Sequence, residues 1–214
     1  MKKESLLLCA LSLVAFAVVA FLTVRGKLQA FNVMLAQDVQ ALETPTLTGF
    51  FKILSHAGEW FVYVPAGLLL LSLPKTRIHY GLPAAVILAA SSLLNWLLKL
   101  AFAIPRPSVN PLILPHGYGF PSGHAMIGTA FVGALAVLCL RSSLPKTGTV
   151  FLVASAVIFI LLTGFGRVYL GVHTPGDVLA GYAAGIFVCA ALLPAKGCYS
   201  TPSMLALLLR LTLP

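Results

Sequence analysis

Three short stretches of this chain combine residue types that suit proton and phosphate chemistry. The first, KLAFAIPRP, places Lys99 seven residues before Arg106. The second, PSGH, carries Ser122, Gly123 and His124. The third, GRVYLGVHTPGD, runs from Arg167 through His173 to Asp177. Together they supply three permanent or near-permanent cations, two imidazoles, the Ser122 hydroxyl and one carboxylate. That is the set needed to hold an oxyanion beside a nucleophile and a second acid/base group.

Each stretch also has a plainer reading. Lys99 and Arg106, at the outer end of an apolar segment closed by Pro105 and Pro107, fit cations that snorkel towards headgroups. Ser122 is a good N-cap, Gly123 permits close backbone approach, and His124 then stands in a helical first turn whose N–H groups favour anions. Thr174, Pro175 and Asp177 read as N-cap, first and third helical residues, so Asp177 fits a capping carboxylate. The same carboxylate, four residues beyond His173, can instead orient that ring and raise the basicity of its other nitrogen. Arg167 adds a planar fork suited to phosphate oxygens. The plain readings do not explain why all three stretches emerge on one side.

That side follows from the elements around them. The 214 residues are 59% hydrophobic and 9% charged, against roughly a quarter charged in soluble domains. The apolar residues fall in blocks at 6–24, 60–73, 82–98, 125–140, 149–165 and 178–193, near the length of a membrane-crossing helix. The block at 60–73 is short and spans only if residues 57–59 extend it. The expected architecture is all-α: a six-transmembrane-helix bundle with both termini cytoplasmic. It forms one domain over residues 1–214, with a core of about 5–195 and a short cytoplasmic or interfacial tail at 196–214. Within the tail, residues 204–213 suit an interfacial helix with Arg210 on its wet side. The first block exceeds a usual signal-peptide core and is read as an uncleaved helix.

Lys2, Lys3, Lys75, Arg77, Arg141, Lys146 and Lys196 fall on one side, which the positive-inside rule makes cytoplasmic. Residues 26–57, 105–121 and 167–175 fall on the other. The net charge of +9 thus divides between topology and the outer helix ends, and no nucleic-acid partner is expected. Cys9, Cys139, Cys189 and Cys198 form no CxxC pair and read as small buried hydrophobes. The segment 26–57, with Phe31, Val33, Met34, Leu35, Val39 and Leu42, reads as an amphipathic piece lying on the membrane, in a place that suits a lid.

Lys99-x6-Arg106-Pro107, Pro121-Ser122-Gly123-His124 and Arg167-x5-His173-x3-Asp177, in that order, resemble the three-part signature of the type 2 phosphatidic-acid phosphatase family. The resemblance covers about residues 5–195. One departure stands out: the third motif usually begins Ser-Arg, and here it begins Gly166-Arg167.

The resemblance implies that His173 is the nucleophile, oriented by Asp177, and forms a phosphohistidine. It makes His124 the general acid, and gives phosphate binding to Lys99, Arg106, Ser122, Gly123 and Arg167. From the residues alone, the histidine with a carboxylate partner is the better nucleophile. Only one carboxylate follows Glu59, so no cluster is available for Mg²⁺, and neither metal nor cofactor is expected. The expected function is a bacterial inner-membrane lipid phosphatase facing the periplasm, with membrane lipids and a lipid mono- or diphosphate as partners. Undecaprenyl pyrophosphate is favoured over phosphatidylglycerophosphate, because an outward site suits a carrier released there. The alternatives are a lipid phosphotransferase of the same family, which needs an acceptor lipid, and a transporter or structural protein, which would tolerate loss of His173.

Overall fold

The seam that organises the molecule lies between two helices rich in small residues, α6 (Gly123–Leu140) and α8 (Pro175–Leu192). A Cβ on Gly185 would lie 2.5 Å from the Met126 carbonyl oxygen, and one on Gly181 would lie 2.7 Å from that of Ser122. The two backbones therefore approach more closely than larger side chains permit, which is how helices associate where lipid offers no hydrophobic driving force. Met126, Ala130, Ala134, Leu138, Ala184 and Val188 complete the seam.

The computed structural model of the chain describes residues 3–107, 110–114, 117–142 and 144–193. These form α1 (Lys3–Val24), α2 (Gln29–Gln40), α3 (Pro45–Ala57), α4 (Trp60–Ser72), a π-helical turn (Arg77–Gly81), α5 (Leu82–Phe102), α6, α7 (Lys146–Tyr169) and α8. No strand occurs among the described residues. Helix α1 packs along α8, α5 and α7 flank α6, and α2 and α3 sit against α7. Leu7, Leu11, Val14, Val18 and Phe21 on α1, with Phe151, Ile158 and Leu161 on α7, remain exposed. Helices satisfy their own backbone polar groups, so such apolar faces suit lipid.

Five helical segments are long and apolar enough to cross a membrane, or six if α3 and α4 count as one bent span. On the sequence, the short block at 60–73 would span only if residues 57–59 extended it. Instead the chain bends by 44° between α3 and α4. Helix α4 has 13 residues, about 20 Å at 1.5 Å per residue, against a hydrocarbon core of about 30 Å.

Two other boundaries differ from expectation. Helix α5 stops at Phe102, where Ala103 turns left-handed (φ 47°), short of the prolines expected to close it, so Lys99 lies in its last turn. Helix α7 continues to Tyr169, which puts Arg167 within the helix instead of in the connection. No proline interrupts this stretch, and Val168 and Tyr169 are buried.

The segment 26–57 forms two helices seated on the bundle. Val39 and Phe51 join Tyr169, Leu170 and Val172 in a core cluster. Asn32 Oδ1 accepts the Gly176 N–H at 2.9 Å, satisfying one of the orphan donors at the start of α8. Tyr169 Oη lies 3.0 Å from Thr48 Oγ1. Phe31, Val33 and Met34 of α2 stay exposed. The expected interfacial tail, with Arg210, and Cys198 lie outside the described residues.

Candidate active site

The turn from α7 to α8 builds the centre of the site. The N–H groups of Val172 and His173 both donate to the Arg167 carbonyl, at 3.2 and 3.3 Å, which tucks His173 under the end of α7. Thr174 then caps α8: its hydroxyl accepts from Asp177 N at 3.1 Å, while Asp177 Oδ2 accepts from Thr174 N at 2.7 Å. This reciprocal capping box fixes the carboxylate beside the ring. Both readings of Asp177 therefore coexist in one geometry. Oδ2 lies 3.6 Å from His173 Nδ1, beyond hydrogen-bond length, because the backbone N–H holds the same oxygen. Catalytic contacts of this kind are often long before substrate arrives.

The other ring nitrogen, Nε2, lies 3.0 Å from Arg106 Nη1. A guanidinium only donates, so Nε2 presents its lone pair and Nδ1 carries the proton towards Asp177. Arg106 is anchored by its own donations to the Val172 and Gly117 carbonyls, at 3.0 and 3.2 Å. Burial pushes the His173 imidazole well below its usual range, to about 3, against the pull of Asp177. The ring is thus neutral near pH 7, as a nucleophile must be. Burial also lowers the Arg106 guanidinium from its ordinary value, yet arginine stays charged at neutral pH.

Around this pair the other expected residues gather. Lys99 Nζ donates to the Tyr118 carbonyl, tying the end of α5 to the loop that anchors Arg106. Ser122 N donates to the Asp177 carbonyl at 3.0 Å, locking the start of α6 onto α8. Ser122 occupies the N-cap position, but its side chain does not cap. Its hydroxyl is buried and has no hydrogen-bond partner among the described residues. A buried hydroxyl in that state costs free energy unless a ligand satisfies it. Gly123 lets the same turn approach Asn95, whose Oδ1 would lie 3.0 Å from a Cβ there.

Arg167 is buried, and its Nη1 donates to Ser55 Oγ from α3. His124 faces the same segment: its Nε2 lies 3.2 Å from the Ser55 carbonyl and 3.3 Å from Glu59 Oε1. Ser55 and Glu59 did not figure among the residues expected from sequence motifs. One signal was available: Glu59 is one of five carboxylates in the chain and sits at a glycine-marked break. The departure at Gly166 has a steric cause, since a Cβ there would meet Phe51 Cδ1 at 2.7 Å. Helix α3 thus fills the space that a serine would need.

All eight expected residues belong to one connected set. Arg106 meets His173, His173 meets Asp177 and the Arg167 backbone, and Arg167 reaches His124 through Ser55. Lys99 joins through the 117–118 loop, and Ser122 and Gly123 join through Asp177 and the start of α6. Such an arrangement can bind a phosphoryl group among cations, attack it with an imidazole nitrogen and protonate what leaves.

Comparison with known proteins places this arrangement in context. The model of the PAP2 superfamily matches residues 80–197. An undecaprenyl-diphosphatase of Sulfolobus acidocaldarius is 35% identical over 164 residues, covering 74% of this chain and 75% of the relative. Phosphatidylglycerophosphatase B of Bacillus subtilis is 33% identical over 110 residues, covering 50% of this chain and 54% of the relative. In fold, the chain is similar to the crystal structure of a transmembrane PAP2-type phosphatidylglycerolphosphate phosphatase from Bacillus subtilis. The TM-score is 0.78 at 24% identity, over 86% of this chain and 93% of that one.

Proposed function

The chain belongs to the PAP2 superfamily, and from that premise we propose that it is a multi-pass membrane lipid phosphatase working through a phosphohistidine at His173. The observation that carries this reading is the buried His173 ring, with Asp177 on one nitrogen and Arg106 on the other. In the first step Nε2 attacks the terminal phosphorus, an N–P bond forms, and the P–O bond to the lipid breaks. Arg106 exchanges the imidazole lone pair for a phosphoryl oxygen as the substrate enters. Lys99, Arg167 and the Ser122 hydroxyl take the remaining oxygens, with the N–H groups at the start of α6. His124 protonates the departing lipid oxygen. It then accepts a proton from water, whose oxygen displaces His173 and releases inorganic phosphate. Asp177 offsets the positive charge that develops on the nucleophilic ring.

Undecaprenyl pyrophosphate is the favoured substrate, supported by the name of the Sulfolobus relative, and phosphatidylglycerophosphate is the second. Both termini lie in the cytoplasm, and the site opens at the outer face of a bacterial inner membrane. Basic residues at the opposite helix ends, among them Lys75, Arg77, Arg141 and Lys146, support that orientation. The test is phosphate release by the purified protein across a panel of lipid mono- and diphosphates, with His173→Ala as control. Release from a prenyl diphosphate above other lipids supports the reading. Release only when an acceptor lipid is added would make the protein a phosphotransferase instead.

A further inference from the structure

Glu59 stands at a position that the matched family region, residues 80–197, does not include. It occupies the N-cap of α4 with extended dihedrals, φ −92° and ψ 161°, yet its side chain makes no capping hydrogen bond. The carboxylate is instead 3.3 Å from His124 Nε2, on a ring that is 13% exposed. Gly58 makes the approach possible, since a Cβ there would meet His124 Cδ2 at 2.9 Å. The bend between α3 and α4 therefore brings the Ser55 carbonyl and Glu59 to the same ring nitrogen, Nε2.

A carbonyl and an ionised carboxylate only accept hydrogen bonds, so Nε2 carries a proton in this geometry. Nδ1 is then the ring nitrogen available to a leaving oxygen. To deliver a proton from Nδ1, the ring must become an imidazolium at the N-terminus of α6 and opposite Arg167. Both of those oppose positive charge. Glu59 is the anion that faces it.

We propose that Glu59 is the positioning residue for His124, holding Nε2–H so that Nδ1 protonates the leaving group; this role rests on the phosphatase reading above. It makes the His124–Glu59 pair the counterpart of His173–Asp177, with one carboxylate serving the acid and the other the nucleophile.

Leaving-group dependence tests the role, because an aryl phosphate with a weakly basic leaving group needs little acid help. Wild type, Glu59→Gln and Glu59→Asp would be compared for the single-turnover rate of leaving-group release from a lipid phosphate and from a nitrophenyl phosphate. For Glu59→Gln we expect roughly a 10- to 100-fold loss on the lipid phosphate, with KM within about threefold, and less than about threefold loss on the aryl ester. Glu59→Asp should recover part of the lipid rate. Equal losses on both substrates, or none on either, would overturn the role while leaving the phosphatase intact. Absence of phosphate release by the wild type from every substrate would overturn the phosphatase reading, and this role with it.

Discussion

The α6–α8 seam and the α2–α4 segment meet at one site but contribute in different ways. The seam holds backbones in direct contact, through Gly181 and Gly185, and Ser122–His124 and His173–Asp177 stand at the starts of its two helices. The segment at 29–72 contributes single residues over long sequence distances: Asn32 to α8, Ser55 to Arg167 and His124, and Glu59 to His124. The seam lies inside the region matched by the family model and the whole segment lies outside it. The difference teaches that the residues proposed for attack, His173 and Asp177, belong to one compact unit. The environment of the proposed acid, His124, comes from a separate piece laid against that unit.

If that division is right, substitutions in the first region should remove activity, and those in the second should scale it. The largest effect belongs to His173→Ala. Nothing nearby replaces the nucleophile, so phosphate release should fall to the background seen without protein. Turnover near the parent rate would end the division of roles.

Asp177→Asn should come next, with a loss on the order of a hundredfold, by analogy with other His–carboxylate pairs. Asparagine still offers an oxygen for the capping box, so thermal stability should change by less than about 1 kcal/mol. A large stability loss with proportionate inactivation would make Asp177 a capping residue alone.

Ser55→Ala should cost less, about tenfold, and mainly in KM. It removes an acceptor of the buried Arg167, a contact of the charged kind worth about 1.5–3 kcal/mol, which bound phosphate replaces in part. A loss as large as that of His173→Ala would erase the distinction between the two regions.

The smallest effects read packing rather than chemistry. Gly185→Leu should destabilise the bundle by about 1–3 kcal/mol, since its Cβ would press on the Met126 carbonyl. Gly133→Leu on α6, with nothing within 4 Å of a Cβ, should not lower thermal stability. Equal Tm shifts in the two variants would show that close backbone approach is not what holds the seam.

How much of this was legible in the sequence differs between the same two regions. The helical blocks and the three motifs could be read because apolar length and local spacing encode them. Thr174, Pro175 and Asp177 carry their capping geometry in four consecutive residues. The Ser122 hydroxyl misled, because the N-cap preference of serine describes helices whose ends need a side-chain acceptor. Here that hydroxyl stays out of the cap. Ser55 was not legible, and Glu59 was visible only as a rare carboxylate beside a glycine, without its partner. They lie 69 and 65 positions from His124, and no local pattern announces a bend that brings them there. Gly166 was visible as a departure, but Phe51, the side chain filling its space, lies 115 positions away.

The most direct test of the central claim is to trap the covalent phosphate. Purified protein mixed with a substrate carrying labelled terminal phosphate, quenched in denaturant and mapped by peptide, should carry an acid-labile, base-stable label on His173. The label should be absent from His173→Ala. Label on Ser122, or on His124 with His173 unmodified, would contradict the assignment of the nucleophile.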